Sequence, residues 1–289
     1  GGLRDLTREQ ALTLFGAIFA GAVPDLPLGG LLVAFRMKGG SAEELAGMEA
    51  RAGTLKTELG TAGVHILEPG DLKPSERSWL QRLFLTHMFP ILTPIAIDPA
   101  HPFPFILNKG LTLAVEMARE SDSRALNGLI PIPGQLERFI RLGGSDAEHK
   151  ELRFIRLETI IGLFISELFP GFQIKSQGAF RVLRDSDIEI QEEAKDLVRS
   201  YETALKRRRR GNVIRLEIDG LMPTRLQRFV VQELDIRDDA VFIKDGLLAL
   251  ADTAQLIVAD RPDLLFKPFV SRFLERIREF NSDCFAAVR

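Results

Sequence analysis

The residues best suited to hold a ligand are Lys206-Arg-Arg-Arg-Arg-Gly211, five adjacent cations between a charged helix-forming stretch, Glu192–Arg208, and a strand pattern at Val213–Ile218. A guanidinium matches a phosphate bidentately, so Arg207, Arg208, Arg209 and Arg210 are candidate phosphate ligands for a polyanion such as polyphosphate or RNA. Consecutive helical residues point around the whole cylinder, so at most two or three meet one ligand unless the helix has ended. The other reading is a solvated helix cap, neutralised by Glu192, Glu193 or Glu202 and favoured by the macrodipole by about 0.3–1 kcal/mol per cation. Only Tyr201 and Phe229 offer nearby stacking surfaces. No nucleic acid is therefore expected as a partner. Lys109, in Asn108-Lys-Gly110, is a further candidate phosphate ligand, or an ordinary turn lysine.

The four histidines are His65, His87, His101 and His149, and none has a metal-ligating histidine or cysteine at i+3 or i+4. No metal site is expected. His101 follows Asp98 by three residues, and a carboxylate there could fix its tautomer and raise its pKa. The alternative is a structural hydrogen bond in a rigid loop. No serine–histidine–acid order, Walker loop or dinucleotide fingerprint is present. Cys284 has no activating histidine nearby and reads as packing.

Asp98 and His101 sit in a segment of unusual composition, Phe89–Asn108, with prolines at 90, 94, 99, 102 and 104 among large apolar side chains. Each proline fixes φ, removes a donor and restrains its predecessor, so neither a helix nor a central strand runs through. The segment is too apolar for a disordered linker. The pattern predicts a rigid, extended, buried connection, with Asp98, His101, Pro102, Phe103, Pro104 and Asn108 as its structural motif.

Around it, Thr7-Arg-Glu-Gln10 and Ser41-Ala-Glu-Glu44 are capping boxes. Leu12, Phe15, Ile18 and Phe19 repeat at helical spacing, and Ala11–Val23 is too short to cross a bilayer, which takes roughly twenty residues. A buried helix is predicted there. Further helices are expected at Gly29–Gly40, 49–60, Pro74–Met88 (with Leu80, Leu83, Phe84 and His87 on one face), Leu157–Leu168 and Thr224–Leu234. Strands are expected at Gly63–Leu67, Leu111–Met117, Ala125–Pro131, Leu152–Ile155, Phe180–Leu183, Val213–Ile218 and Ala240–Ile243. The interleaving lacks a regular βαβ period, so the fold class is α+β, a small N-terminal helical region followed by a mixed sheet with packed helices.

Composition narrows the function classes. The 289 residues carry a net charge of −2, which gives no global basic field toward nucleic acid or an anionic membrane. One cysteine excludes an internal disulfide and fits a reducing cytoplasm.

From about Glu49 to Arg289 the sequence resembles the polyphosphate kinase family. The resemblance rests on Phe89–Asn108, Leu129-Ile-Pro-Ile-Pro133, Arg138-Phe-Ile-Arg141, Glu167-Leu-Phe-Pro-Gly171, Phe180-Arg-Val182, Arg215-Leu-Glu-Ile218, Glu233-Leu-Asp235, Asp260-Arg-Pro-Asp-Leu264 and Asp283-Cys-Phe-Ala-Ala-Val-Arg289. It implies reversible transfer of the terminal phosphate of ATP to inorganic polyphosphate through a phosphohistidine, with Mg2+, in a homo-oligomer that is cytoplasmic or peripherally membrane-associated. The middle domain of that family contributes to subunit contacts and to the wall of the polyphosphate tunnel. The family's catalytic histidine and Mg2+-binding arginines have no counterpart in this sequence. The resemblance thus implies a non-catalytic fragment, with ATP and Mg2+ belonging to the full-length family.

A second resemblance covers residues 1–48. Ala34-Phe-Arg-Met-Lys-Gly39 and Glu43-Glu-Leu-Ala-Gly47 are similar to the N-terminal helical subdomain of the anthranilate phosphoribosyltransferase family, whose glycine-rich phosphate loop is absent here. The expected organisation is 1–48 helical, 49–88 a helical remnant, 89–259 the middle domain and 260–289 the start of a truncated catalytic domain, with the join near Met48–Gly53 inside one helix. The alternative function is a docking module using the N-terminal helices, which exposure of Phe15 and Phe19 would favour.

Overall fold

The computed structural model describes residues 4–38, 41–97, 103–143, 151–185, 211–259 and 261–265. Three helices open it: α1 (Arg8–Phe19), α2 (Asp25–Lys38) and α3 (Ala42–Thr61). Both capping boxes form. Thr7 Oγ1 accepts from Gln10 N at 3.3 Å, and Ser41 Oγ accepts from Glu44 N at 3.3 Å. Pro27 falls in the first turn of α2, where the backbone donors have no intrahelical partner to lose. Helix α3 runs unbroken across the join near Met48–Gly53. It packs closely on α1 because Gly47 has no side chain: a Cβ there would lie 2.6 Å from Ala11 Cβ.

The expected burial of α1 is corrected. Only Ala11 is buried in it, while Leu12 and Phe19 are exposed. Helix α1 packs on α3, and the ring of Phe15 lies beside those of Phe19 and Phe35, with centroids 6.1 and 5.7 Å away.

The rest is α+β, as expected. The main sheet has six strands in the order β2 (Ile95–Ile97), β4 (Ala125–Pro131), β3 (Leu111–Arg119), β7 (Phe172–Arg184), β8 (Val213–Asp219), β9 (Val241–Lys244). All neighbours are antiparallel except β8 and β9, which the crossover helix α6 (Thr224–Glu233) makes parallel. A small sheet has the order β1 (Val64–Leu67), β6 (Leu152–Arg156), β5 (Phe139–Leu142).

Strand alternation sends the main sheet's side chains into two cores. On one face, Leu113, Val115, Met117 and Ile130 pack against α4 (Pro74–Leu83), α5 (Leu157–Leu163) and the small sheet. On the other, Ala114, Phe180, Val182, Leu216 and Ile218 pack against Leu226 and Val230 of α6. The turn between β8 and that helix sits close to the sheet at Gly178, where a Cβ would lie 2.5 Å from Met222 Cβ.

Helix α4 ends in a π-turn, Phe84–Met88, closed by Phe89 N donating to Phe84 O at 2.8 Å. The wider turn brings Met88 rather than His87 to the buried face, so His87 is exposed, contrary to the periodicity. Strand β7 begins eight residues before the expected Phe180. Strands β2 and β5 were not expected. The helix expected over Leu157–Leu168 stops at Leu163 and continues as a 3-10 turn, Ile165–Glu167.

The proline-rich connection is also less buried than its composition suggested. Of its described residues only Leu92 and Ile106 are buried, while Phe89, Ile91, Phe105 and Leu107 are exposed. It supplies an edge strand, β2, which pairs with β4. No helix among the described residues is long and apolar enough to cross a membrane.

A cationic groove at the end of the main sheet

Period-two alternation on β7, β8 and β9 has a second consequence. Leu216, Ile218, Phe180 and Val182 point into a core, so Arg215, Glu217, Arg181 and Leu183 must point to the opposite face. Register places Arg181 opposite Glu217 and Leu183 opposite Arg215, with Glu217 beside Phe242 on β9. At the β3–β4 end this face lies under α5 and the small sheet. At the β8–β9 end it is the floor of a groove of about 410 Å³. Met48, Ala52, Gly53 and Lys56 of α3 form one wall, and the segment Asp245–Ala251 forms the other.

Four cations line it, Lys56, Arg181, Arg215 and Lys244, against two carboxylates, Glu217 and Asp245. Glu217 is shared: Arg215 Nε donates to its Oε1 at 2.9 Å, and Arg181 Nη1 to its Oε2 at 3.4 Å. The Arg215 guanidinium lies 3.9 Å from the Phe242 ring centroid, and Lys244 Nζ 5.7 Å from the same ring on that strand. A cation near an aromatic face gains from the ring's quadrupole, which holds both groups at the groove. Burial pushes the Lys244 ammonium below the ordinary lysine value. A partly desolvated cation of this kind gains more from an anion than a lysine in open water does. Lys56 lies 3.6 Å from Glu68, both side chains being well exposed. Such an exposed pair contributes little and yields readily to a competing anion.

The Asp245–Ala251 wall is held by a buried guanidinium. Arg138 is only 4 % exposed, and its Nη1 donates to the carbonyl oxygens of Leu248 at 2.6 Å and Ala249 at 3.1 Å. Its Nη2 donates to Glu158 Oε1 at 2.6 Å. Gln255 Oε1 accepts from the backbone of Arg138 and Phe139, and Ala249 adopts a left-handed conformation, φ 49°.

Of the expected phosphate ligands, Lys109 is described and exposed. Its backbone, at φ 61°, donates to Val182 O at 2.8 Å, so it rides on the C-terminal end of β7. Arg181 Nε donates to Lys109 O at 3.4 Å. Arg207, Arg208, Arg209 and Arg210 lie outside the described residues, as do Asp98, His101 and Pro102. The anchor after the arginines is described: Arg184 Nη1 donates to Gly211 O at 2.9 Å, and Asp185 N to Asn212 O at 2.9 Å. Asn108 Oδ1 accepts from Arg184 N at 2.9 Å, and the Arg184 guanidinium stacks 4.3 Å from the Phe105 centroid. Phe103 packs edge-on to Phe229, and Pro104 is half-buried. Phe103 is thus tied to α6 and Asn108 to β7.

Sequence reasoning did not select Arg181, Arg215, Glu217, Lys244 or Lys56. The alternation in Arg215-Leu-Glu-Ile218 carried the signal for two of them.

The family profile described as the polyphosphate kinase middle domain matches residues 75–256, which include every groove residue except those on α3. The chain belongs to the polyphosphate kinase family. A polyphosphate kinase of Erythrobacter litoralis is 45 % identical over 236 residues, covering 81 % of this chain and 32 % of the relative. One from Mycobacterium ulcerans is 37 % identical over 240 residues, covering 80 % and 32 %. The crystal structure of polyphosphate kinase from Porphyromonas gingivalis superposes with a TM-score of 0.65 at 18 % identity, over 94 % of this chain and 40 % of that one, and shares its fold. The chain spans about a third of the length of these curated polyphosphate kinases. Residues 1–50 match a second profile, the helical bundle domain of a glycosyl transferase family. Of the α3 wall only Met48 falls within that second match, and Ala52, Gly53 and Lys56 lie between the two matched segments.

Proposed function

We propose that this chain binds inorganic polyphosphate along the charged end of the main sheet and holds it without transferring phosphate itself. The observation that carries the reading is the excess of cations over carboxylates on one solvent-facing groove, Lys56, Arg181, Arg215 and Lys244 against Glu217 and Asp245. Lys109 lies at the same end of β7, and Arg207–Arg210 precede the anchored Gly211 in sequence. A linear polyanion suits a row of cations better than a compact phosphate does, since each added phosphate meets a further charge.

Phosphoryl transfer needs a positioned nucleophile and a charge clamp. The described residues bring no three histidine, cysteine or acidic side chains together in a metal-binding group. ATP and Mg2+ are not assigned to these residues. Those belong to the whole enzymes of the family, as do homo-oligomer formation, a cytoplasmic location and any peripheral membrane association.

Retention of labelled polyphosphate, with ATP–polyphosphate exchange followed in parallel, tests the reading. Binding without exchange is expected, weakened at least tenfold in Arg215→Ser/Lys244→Ser. A measurable exchange rate, or no binding by the wild type, would contradict it.

A docking role for the N-terminal helices has its own support. Leu26, Leu32, Val33 and Met37 of α2 are exposed, and Phe19 of α1 is 37 % exposed. If these side chains make the oligomer contact, Leu32→Glu/Val33→Glu shifts the chain to a smaller species in size-exclusion chromatography while leaving its helicity unchanged.

A further inference from the structure

The cationic groove does not end at its apolar wall. A second groove, of about 610 Å³, adjoins it, and Met48, Ala52, Lys56, Leu247, Leu250 and Ala251 line both. Away from that shared wall its lining is almost wholly apolar, with Leu55 and Leu59 of α3, Val64 and Ile66 of β1, and Leu256 and Ile257. Its charged lining groups are Lys56, at the boundary with the cationic groove, and Arg261, which is engaged by Asp263 at 2.7 Å and donates to Ala62 O at 2.5 Å. Each cavity alone falls in the size range of small-molecule sites.

We propose that the two grooves together bind a single-chain anionic amphiphile, a phosphate monoester of a long aliphatic alcohol. The aliphatic chain lies in the apolar groove, and the phosphate lies on Lys56, Arg215 and Lys244. The charge pattern selects this class. A neutral hydrocarbon leaves the adjoining cations unused, and a cationic amphiphile brings like charge to them. Inorganic phosphate gains nothing from the apolar half. Removing an aliphatic chain from water contributes in proportion to the apolar area covered, so both halves of the ligand are needed for tight binding. The shared wall also makes the amphiphile a competitor of polyphosphate, because one phosphate head would occupy the cations nearest Lys56. The inference rests on the anion-binding reading above and adds a ligand class and a competition to it.

Isothermal titration of the whole chain with dodecyl phosphate below its micelle concentration tests this, with inorganic phosphate, 1-dodecanol and dodecyltrimethylammonium as comparison ligands. Dodecyl phosphate is expected to bind at least tenfold tighter than any of the three and to displace labelled polyphosphate. Ala254→Trp, at an exposed lining position of the apolar groove alone, is expected to abolish that advantage while leaving polyphosphate binding intact. Lys56→Ala is expected to weaken dodecyl phosphate at least fivefold. Retained polyphosphate binding with dodecyl phosphate no tighter than inorganic phosphate would overturn the amphiphile site alone. Binding of neither polyphosphate nor dodecyl phosphate would overturn both readings. Affinity for dodecyl phosphate unchanged by Ala254→Trp would place the aliphatic chain elsewhere and overturn the proposal.

Discussion

Arg181 and Glu217 are register partners on neighbouring antiparallel strands, and the guanidinium Nη1 of one lies 3.4 Å from the carboxylate Oε2 of the other. Because Arg215 Nε also donates to Glu217, one carboxylate neutralises part of two cations on the groove floor. Glu217 is therefore both a structural tie and a competitor of any anion. Glu217→Gln should tighten polyphosphate binding about fivefold at low salt, roughly 1 kcal/mol of relieved competition. It should also lower unfolding stability by about 1 kcal/mol through the weakened hydrogen bonds. Titration and denaturant melts on the same variant check both signs. Weaker polyphosphate binding in this variant would mean that Glu217 orients the arginines rather than competing.

Arg138 and Glu158 should behave as a buried pair. Their side chains are 5 % and 7 % exposed, and the guanidinium also holds two carbonyls of the groove wall. Arg138→Met leaves Glu158 buried without its partner and should cost about 3–5 kcal/mol. Arg138→Met/Glu158→Leu should recover part of that loss in urea unfolding, since no buried lone charge remains and Asp252, the other carboxylate on Arg138, is exposed to water. Equal losses in the single and double variants would show that the carbonyl contacts dominate.

The main sheet was legible where side-chain burial and sequence period agree. Val213–Ile218 alternates, and the strand forms there. Strand β7 was only half visible, because Gln173, Lys175, Ser176 and Gln177 face solvent or the polar rim and leave few apolar residues to mark the pattern. His87 was misplaced because a π-turn changes the period within one helix, which no fixed 3.6-residue reading can follow. The groove was illegible for a different reason. Lys56, Arg181, Arg215 and Lys244 lie on four separate elements, and only tertiary packing brings them together. The arginine run drew attention because its charges are adjacent in sequence, whereas the groove's charges are adjacent only in space.

The N-terminal helices carry a pH-sensitive tie. Burial alone would raise the pKa of Glu44, but Lys38 Nζ, Ser41 N and Leu6 N all donate to its carboxylate, and together they lower it from 4.5 to about 2. A depressed carboxylate stabilises the fold above its unfolded value and loses that contribution as pH falls through the folded one. Wild type should thus exceed Glu44→Gln in thermal stability near neutral pH. The difference should shrink between about pH 4.5 and 2. A constant gap across that window, followed by circular dichroism, would exclude the carboxylate as its cause.

Gly211 follows Arg207–Arg210 in sequence and leads into β8. A Cβ there would lie 2.0 Å from Asp185 O, a backbone atom that cannot move aside without disturbing the Asp185–Asn212 hydrogen bond. Gly211→Ala should cost about 1–3 kcal/mol by overpacking. Polyphosphate affinity should fall as well, if the arginines depend on this anchor, and the two effects are separable by titrating below the melting transition.

The most direct test of the central claim is the salt dependence of polyphosphate binding in wild type, Arg215→Ser/Lys244→Ser and Arg207–Arg210→Ser. A polyanion releases counterions as each of its charges is neutralised, so the slope of log affinity against log salt reports how many protein cations take part. The account predicts a steep slope in the wild type, a shallower one in the groove variant and in the arginine variant, and the shallowest when both sets are combined. Affinity and slope unchanged in the groove variant would contradict it.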